Sequence, residues 1–431
     1  MGVRSGRTSS AALGCCSALL LLSACGPAQH PAAGAPSPTV RVAQGTARLP
    51  VPRGDGSRVQ DDFNGDGHRD LVLDQLAKAQ AHADDPGIGI VYGGARGPVP
   101  ATRQLLSPEE YAAAVDGQLP AVFEAEATCD LDGDGFTDLV VSTDPPYDGQ
   151  GQPPVPLQLL FGSPKGLAGK AVTLVVPGRA RVGNDWPDQP VCGDFDGDGV
   201  QDLVLHASGG RLSFLRGPFT REGNAEAAGD PIPSPGNIPT GPATDVDRDG
   251  YDDLLVRTAE GSGPTAVVLG GPAGPTRTGA TLPSGIDVAV GNFGKGKAQD
   301  AAVGTMGETS LRYDLPTAAR AALASPGSML DAADFDGDGL AELVSSGARL
   351  RLFPGRAAGL ATDPVTVEPP GTGTTRVVSV ADLDGDGRAD LTVRTYRSET
   401  RDLVAVYPGN ERGLIAAKPT VTFTTAAFLG H

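Results

Sequence analysis

The stretch CGDFDGDGVQDLVL, residues 192–205, places four aspartates within nine residues and then continues as an apolar run. Like charges at this spacing repel each other, so we expect a strongly positive partner between them. A loop of the form D-x-D-x-D-G-x-x-D offers carboxylate oxygens from positions 1, 3, 5 and 9 and a backbone carbonyl from position 7, while glycine at position 6 permits the sharp turn. This flexible, all-oxygen donor set predicts calcium rather than magnesium. The five ligand positions here are Asp194, Asp196, Asp198, Val200 and Asp202.

The same loop recurs along the chain. Five further copies begin at Asp62 (DFNGDGHRDLVL), Asp130 (DLDGDGFTDLVV), Asp245 (DVDRDGYDDLLV), Asp334 (DFDGDGLAELVS) and Asp382 (DLDGDGRADLTV), and a degenerate copy, NFGKGKAQDAAV, begins at Asn292. Successive copies start 42 to 68 residues apart. Repetition at this period predicts an array of seven structural units, numbered 1 to 7 in chain order below.

Six of the seven units are predicted to bind calcium. Besides the ligands of unit 3 given above, the predicted ligands at positions 1, 3, 5, 7 and 9 are Asp62, Asn64, Asp66, His68 and Asp70; Asp130, Asp132, Asp134, Phe136 and Asp138; Asp245, Asp247, Asp249, Tyr251 and Asp253; Asp334, Asp336, Asp338, Leu340 and Glu342; and Asp382, Asp384, Asp386, Arg388 and Asp390. Unit 5 lacks acidic residues at positions 1, 3 and 5, and it carries Lys295 and Lys297 beside one remaining carboxylate, Asp300. Two ammonium groups disfavour a divalent cation, so we expect no metal in unit 5.

Position 2 of the loop is apolar in all seven units, including the degenerate one. These residues are Phe63, Leu131, Phe195, Val246, Phe293, Phe335 and Leu383. Because unit 5 keeps this residue while losing the ligands, we predict that position 2 is a core contact that every unit needs whether or not it binds metal.

Each unit continues with an alternating apolar run that ends in a glycine turn, such as IVYGGARG (90–97) and LRLFPGRAAGL (350–360). One more strand-like segment follows in most units, so a unit contains four short strands. Four strands repeated at this period predict an all-β fold whose units are the blades of a β-propeller.

The acidic loop followed by the glycine turn resembles the FG-GAP repeat, which also occurs as bacterial VCBS-type repeats and in the propeller headpiece of integrin α chains. The resemblance covers residues 57–431. It implies a seven-bladed β-propeller of four-stranded blades, with calcium in the loops that join the first and second strands. It implies little about function, because the family includes adhesion receptors, sugar-binding lectins and ancillary domains of polysaccharide-degrading enzymes.

The N-terminus predicts the location of the protein. Residues 1–24 have a basic start, a short apolar run and small residues before Cys25. They resemble a bacterial lipoprotein signal peptide with LSAC as the lipobox, which implies cleavage before Cys25, acylation of that cysteine and anchoring to the outer face of the cytoplasmic membrane. An ordinary secretory signal is the alternative. Residues 25–56, rich in Pro, Ala and Gly, are interpreted as the lipidated cysteine and a disordered tether before the propeller.

Two cysteines remain in the predicted propeller. Cys129 and Cys192 precede the loops of units 2 and 3, in the first strands of neighbouring blades. Either a disulfide between them or two buried free thiols fits the sequence, since their separation in space cannot be read from it.

The composition excludes one class of partner and names no catalytic site. The formal charge is −18, mainly from the predicted ligand carboxylates, and there is no basic patch that would attract nucleic acid. The five histidines lack zinc-ligand spacing, and no nucleophile motif is present, so no catalytic residue is assigned. A hidden pair of carboxylates acting as acid and base stays open.

The longest insertions, within 74–87, 107–120, 142–156 and 178–190, fall in units 1 to 3. We expect most of them on the face opposite the calcium loops, where Trp186 and Tyr147 would contribute to a ligand-binding face. The alternative is that they are tolerated insertions and that Trp186 fills a gap between blades.

Three functional classes remain open from the sequence. The favoured one is a monomeric, surface-anchored, non-catalytic binding or adhesion module for a protein or glycan of the cell envelope. The alternatives are a carbohydrate-active enzyme, such as a polysaccharide lyase or hydrolase built on the propeller, and a purely structural or assembly protein.

Overall fold

The structure is a computed structural model that describes residues 47–74, 76, 87–115, 117–144, 157–181, 187–236, 238–258, 263–294, 296–315, 319–397 and 402–428. Tyr147, Trp186 and the lipidation site Cys25 lie outside the described residues, so the predictions made for them stay predictions. Within the described part of the chain, no helix is long and apolar enough to cross a membrane.

The described residues form strands with very little helix. Blade 1 contains β1 (Leu71–Leu73), β2 (Ile88–Val91) and β3 (Arg103–Leu106); blade 2 contains β4 (Val122–Cys129), β5 (Asp138–Asp144), β6 (Gln158–Leu160) and β7 (Val172–Thr173); blade 3 contains β8 (Val191–Gly193), β9 (Asp202–Ala207), β10 (Arg211–Phe219), β11 (Ala225–Ala228) and β12 (Ile232–Pro233). Blade 4 contains β13 (Ile238–Thr244), β14 (Asp253–Arg257), β15 (Thr265–Leu269) and β16 (Arg277–Leu282); blade 5 contains β17 (Asp287–Gly291), β18 (Asp300–Gly304), β19 (Thr309–Tyr313) and β20 (Ala319–Leu323). Blade 6 contains β21 (Met329–Ala333), β22 (Glu342–Ser346), β23 (Leu350–Phe353) and β24 (Val365–Val367); blade 7 contains β25 (Thr374–Ala381), β26 (Asp390–Tyr396), β27 (Leu403–Tyr407) and β30 (Val421–Thr424), with the small hairpin β28 (Gly409–Asn410) and β29 (Leu414–Ile415). The helices are α1 (Pro108–Tyr111), α2 (Gly178–Arg181) and a 3-10 turn (Thr425–Phe428).

Each blade is an antiparallel sheet in which consecutive strands pair with each other, except that β12 pairs with β10 in blade 3 and β30 pairs with β27 in blade 7. In blade 6, for example, Ala333 pairs with Glu342 where the first strand ends and the second begins, on either side of the metal loop. In blade 1 no separate first strand is present among the described residues. One backbone hydrogen bond takes its place, from the N–H of Asp70 to the carbonyl of Asp61 at 2.8 Å. The loop of every unit therefore joins the first and second strands, as the resemblance implied.

Apolar clusters between neighbouring blades close the blades into a ring. One cluster joins Phe195 of blade 3 to Leu254 of blade 4, and equivalent clusters fill the other junctions. Blades 7 and 1 meet through Leu71 and Phe423, and Arg103 Nε donates to the carbonyl of Ala427 at 2.8 Å. Blade 7 is built entirely from its own consecutive segment of chain, so side-chain packing rather than a shared sheet closes the ring. The prediction of an all-β, seven-bladed β-propeller is confirmed.

The apolar residue at position 2 of each loop lies in these cores. All seven are between 0% and 2% exposed. The predicted core role of position 2 is therefore confirmed, including that of Phe293 in the degenerate unit.

The segment 47–56 differs from the expected tether. The structure places it against the propeller, where the N–H of Gly54 donates to Asn64 O at 3.1 Å and that of Gly56 donates to Gly65 O at 3.2 Å. Backbone hydrogen bonds to an ordered loop offset the conformational entropy that a Pro- and Gly-containing segment loses on ordering. The packed domain thus begins before residue 57.

Cys129 at the end of β4 and Cys192 in β8 are joined by a disulfide, with an S–S distance of 2.09 Å. Both residues also contact the apolar cluster between blades 2 and 3. The bond cross-links the first strands of adjacent blades across 63 residues of sequence.

We expect the replacement of both cysteines by serine to lower the free energy of unfolding by about 4 kcal/mol, since the bond closes a long loop in the unfolded chain. Denaturant unfolding of the double variant measures this loss. Thiol counting is the control: two free thiols in unreduced native protein would contradict the bond.

Candidate metal centres

The carboxylate at position 1 organises each acidic loop. In unit 3, Asp194 accepts hydrogen bonds from the backbone N–H groups of Gly197 at 2.8 Å and Gly199 at 3.0 Å. Both glycines have positive φ, 76° and 85°, a conformation that side-chain-bearing residues rarely adopt. The same arrangement surrounds Asp62, Asp130, Asp334 and Asp382. The glycines that the sequence pattern contains are therefore what turns the loop around its first carboxylate.

Positions 1, 3 and 9 converge in five of the units. Within each of the following groups of described residues, one carboxylate oxygen per residue lies within 4.8 Å of the others: Asp130, Asp132 and Asp138; Asp194, Asp196 and Asp202; Asp245, Asp247 and Asp253; Asp334, Asp336 and Glu342; Asp382, Asp384 and Asp390. Such groups are suited to a hard divalent cation. Five acidic clusters compatible with metal are thus present, whereas six calcium sites were predicted; unit 1 differs because its third position is the amide Asn64.

Buried oxygens at position 3 of three loops lack a hydrogen-bond partner, which is compatible with a bound cation. Asn64 Oδ1, Asp132 Oδ1 and Asp247 Oδ1 are buried and have no hydrogen-bond partner among the described residues. A buried acceptor without a donor carries a desolvation cost that a coordinated cation would remove. The first loop thus shares this feature with two of the acidic clusters.

Positions 5 and 7 form a separate contact in all six loops. In unit 3 the N–H of Val200 donates to Asp198 Oδ1 at 2.9 Å, and the equivalent bond recurs at His68, Phe136, Tyr251, Leu340 and Arg388. Position 5 is therefore oriented by the backbone, while the predicted ligand role of the position 7 carbonyls stays a prediction.

The acid at position 9 is buried and bonded twice by backbone. Asp202 accepts from the N–H of Phe195 at 3.2 Å and from that of Gly217, in the glycine turn, at 2.9 Å. All seven units keep both kinds of contact, so this acid ties the loop to the turn even in unit 5, where Asp300 accepts from Gly294 and Asp314. The conserved geometry gives position 9 a structural role in addition to any ligand role.

Burial makes ionisation of these acids costly in the metal-free protein. Desolvation, opposed by the backbone hydrogen bonds and assisted by the neighbouring carboxylates, raises the pKa of Asp138 to about 8, and those of Asp202 and Glu342 to about 7. The same causes raise the pKa values of Asp253 and Asp390 to about 6. A bound cation supplies the opposite charge that ionised carboxylates at this depth require.

Arginines contact carboxylates at positions 3 and 5 in four loops, which sequence reasoning missed. Arg216 pairs with Asp196 at 2.7 Å and with Asp198 at 2.9 Å, and Arg277 pairs with Asp249 at 2.6 Å. Arg388 contacts Asp386 within its own loop. Each guanidinium offsets part of the loop charge in the metal-free protein.

Of these arginines, Arg221 is the farthest in sequence from the loop that it contacts. It belongs to blade 3 but pairs with Asp132 at 2.8 Å and Asp134 at 2.5 Å in the loop of unit 2, and its guanidinium lies 4.9 Å from the ring centre of Phe161. No spacing rule links residues 87 positions apart, so only the packing of blade 3 on blade 2 brings them together.

We expect Arg221→Ala to increase calcium affinity in unit 2 by about fivefold, because a guanidinium on the ligand carboxylates competes with a cation at a cost of about 1 kcal/mol. Calcium titration of the variant and of wild type measures the change. Arg211→Ala, an exposed arginine of the same blade without a carboxylate partner among the described residues, is the matched control. Unchanged or weaker affinity would contradict competition.

The degenerate loop of unit 5 is organised by a different carboxylate. Asp314 Oδ1 accepts from the N–H of Lys297 at 2.7 Å and from that of Ala298 at 2.8 Å, and these contacts lower its pKa. Asp314 follows β19 with a φ of 57°, at the place of the glycine turn. It accepts from the position 6 N–H, which donates to the position 1 aspartate in the other loops, and from the position 7 N–H, which donates there to position 5. This explains how the loop keeps its shape without acidic ligand residues at positions 1, 3 and 5. That unit 5 binds no metal stays a prediction.

A cavity of about 430 Å³ lies between blades 2, 3 and 4, and a larger one of about 720 Å³ lies beside the loops of units 1 to 3. The larger cavity is lined by Arg58, Gln60 and Gln201, whose side chains have no hydrogen bond or ion pair with the described residues, and by Asp130 and Asp134 of the second metal loop. The cavity therefore places side chains with unused hydrogen-bond donors next to a candidate metal centre.

A protein-family model described as an FG-GAP-like repeat matches residues 130–205 and 334–393. No curated protein sequence matches the chain. Similar solved structures include BBS1N in complex with ARL6DN, at 13% identity over 81% of this chain and 99% of that chain with a TM-score of 0.44. AofleA from Arthrobotrys oligospora is 11% identical over 88% of this chain and 95% of that chain, with a TM-score of 0.37. The V. cholerae biofilm matrix protein Bap1 is 11% identical over 88% of this chain and 98% of that chain, with a TM-score of 0.35. These values are too low to indicate a function.

Proposed function

We propose that this protein, a seven-bladed propeller built from FG-GAP-like repeats, is a calcium-stabilised, non-catalytic binding module that recognises a polar segment of a protein or glycan outside the cytoplasm. The family resemblance alone leaves function open, because propellers with this repeat serve in several roles. The cavity beside the loops of units 1 to 3 is the observation that supports a binding role. The ligand-binding face expected opposite the loops, with Trp186 and Tyr147, stays a separate prediction.

The lining of this cavity suits recognition of polar groups. Arg58, Gln60 and Gln201 offer a charged fork and two side-chain amides, which can donate to and accept from hydroxyl or peptide groups. These side chains are free to exchange solvent for a ligand without breaking a described contact. A volume of about 720 Å³ is in the range of ordinary ligand sites.

Calcium is the cation that the loops are proposed to bind, in units 1, 2, 3, 4, 6 and 7. Positions 1, 3 and 9 would hold it, and it would supply positive charge that lets these buried acids ionise. Since Asp130 and Asp134 belong to the cavity wall, calcium binding in unit 2 would also fix the shape of that wall. Ligand binding should therefore depend on calcium.

Export and anchoring to the outer face of the cytoplasmic membrane are part of the proposal. The lipoprotein-like N-terminus with Cys25 supports them, and a disulfide between Cys129 and Cys192 fits an oxidising compartment. Abundant extracellular calcium would keep weak structural sites filled.

The test is binding of calcium-loaded protein, residues 26–431, to an array of glycans, cell-wall polymers and envelope proteins, with every bound polymer checked by mass for cleavage. We expect an intact bound partner, loss of binding in chelator, and at least tenfold weaker binding of the variant Arg58→Ala/Gln201→Ala. Arg349→Ala, an exposed arginine of blade 6, is the matched control. Cleavage of a bound polymer would overturn the non-catalytic assignment, and unaffected binding by the double variant would place the site elsewhere.

A further inference from the structure

The candidate metal centre of unit 1 is enclosed, unlike the others. Asp62, Asn64 and Asp70 are 1%, 0% and 2% exposed, and Gly65 at position 4 is buried as well. In the other five acidic loops the residues at positions 4 and 5 are exposed, as Gly197 and Asp198 are in unit 3. The loop of unit 1 is therefore less accessible to solvent than the other five acidic loops, although it follows the same sequence pattern.

The segment Pro52–Ser57 is the cover. Asn64 Nδ2 donates to the carbonyl of Pro52 at 3.1 Å, and the N–H of Gly54 donates to the carbonyl of Asn64 at 3.1 Å. At the far end of the segment, the Ser57 hydroxyl donates to Asp62 Oδ2 at 2.6 Å, and the Ser57 N–H donates to the carbonyl of Gly135 in the second loop at 2.7 Å. The segment is therefore bonded to two of the three inner residues of the centre and to the neighbouring loop.

The cover and the loop are in close backbone contact. A Cβ on Gly54 would lie 1.7 Å from the carbonyl oxygen of Gly65, and a Cβ on Gly65 would lie 2.6 Å from the backbone nitrogen of Gly56 and 2.4 Å from the Phe136 ring. Only glycine at both places allows this approach. Phe136 of the adjacent unit also packs against Gly65 and is itself 8% exposed.

Under this cover, the side-chain oxygen of Asn64, at a predicted ligand position, lacks a hydrogen-bond partner among the described residues. Asn64 Nδ2 donates to Pro52 O and to Asp66 Oδ2, at 3.1 and 3.2 Å, whereas Asn64 Oδ1 is buried without a partner among the described residues. An amide that is satisfied on its nitrogen and unsatisfied on its oxygen is matched to a cation beside that oxygen.

We propose that the segment Pro52–Ser57 is a lid that retains a divalent cation in unit 1, so that this cation exchanges with solution far more slowly than those of the other loops. The inference rests on the proposed calcium site of unit 1. Release requires breaking the lid contacts together, which is a local opening of the domain rather than simple dissociation. A retained cation in turn holds the lid, and so ties the N-terminal segment to the ring.

The experiment loads the full mature chain with radioactive calcium and follows its release into excess chelator by filtration. We expect one equivalent to leave on the order of 100-fold more slowly than the rest. Gly54→Ala, which adds one methyl between lid and loop without touching a ligand, should remove the slow equivalent. Gly307→Ala, where an added Cβ meets nothing within 4 Å, is the matched control and should keep it.

Two outcomes overturn the proposal, and they differ. If Asn64→Ala binds as many equivalents as wild type, unit 1 takes no cation and the calcium site itself fails. If Asn64→Ala loses one equivalent but all wild-type equivalents leave at one rate, or the slow equivalent survives in Gly54→Ala, the site stands and the lid fails. Circular dichroism of each variant confirms that the blades remain folded.

Discussion

Removal of calcium should lower the melting temperature of this protein by about 20 °C. A cation at one hundred times its dissociation constant stabilises a fold by about 2.7 kcal/mol, and the sites add because they lie in separate blades. The six proposed sites then contribute roughly 16 kcal/mol in total. For a domain of this size, the unfolding entropy of about 2 cal/mol/K per residue converts this total into a shift on the order of 20 °C. Differential scanning calorimetry with calcium and with chelator measures it.

Two single substitutions in the same blade make this test specific to one metal centre. Asp196→Asn removes one acid from the cluster of unit 3, whereas Asp230→Asn removes an exposed acid of the same blade outside any cluster. We expect the first variant, but not the second, to lose part of the calcium-dependent shift. A melting temperature that does not respond to chelator would contradict a structural role for calcium.

The pH dependence of the metal-free protein should have the opposite sign to that of the calcium form. Acids whose folded pKa is raised bind protons more tightly in the native state, so their contribution to stability is present at low pH and is lost as pH rises from about 4 toward about 8, the value for Asp138. Calcium requires ionised ligands, so the loaded protein loses stability as pH falls through the same range. The gap between the two melting temperatures should therefore widen from pH about 5 to about 8.

Phe293→Ala should lower the free energy of unfolding by about 3–5 kcal/mol, by the same amount with calcium and with chelator. Phe293 is 0% exposed and packs with Leu311 and Leu343 between blades 5 and 6, in the unit whose loop lacks acidic residues at positions 1, 3 and 5. The cavity left by the ring removes contacts from both blades, and unit 5 has no acidic ligand set of its own to disturb. Denaturant unfolding under both conditions is the measurement.

Two substitutions control for this result. Phe293→Leu keeps most of the apolar volume and should cost less than half as much, while Met306→Ala, at a side chain 77% exposed in the same blade, should be nearly neutral. A larger loss in calcium than in chelator would contradict the view that position 2 acts independently of metal.

The sequence by itself determined the number of blades, the position of the acidic loops and the core role of position 2. These features are local and repeated: aspartates and glycines within nine residues dictate one loop shape, and the apolar residue between them must face the core wherever the loop is formed. The degenerate unit separated core from ligand positions because only the ligands had changed.

Only the tertiary structure decided what lies against each loop. Arg221 reaches the loop of unit 2 from another blade, Asp314 replaces the missing acid of unit 5, and Pro52–Ser57 covers unit 1 although its composition resembles a tether. Cys129 and Cys192 could be paired only once two blades were placed side by side. Such contacts join residues far apart in sequence through the geometry of the closed ring, and no local periodicity encodes that geometry.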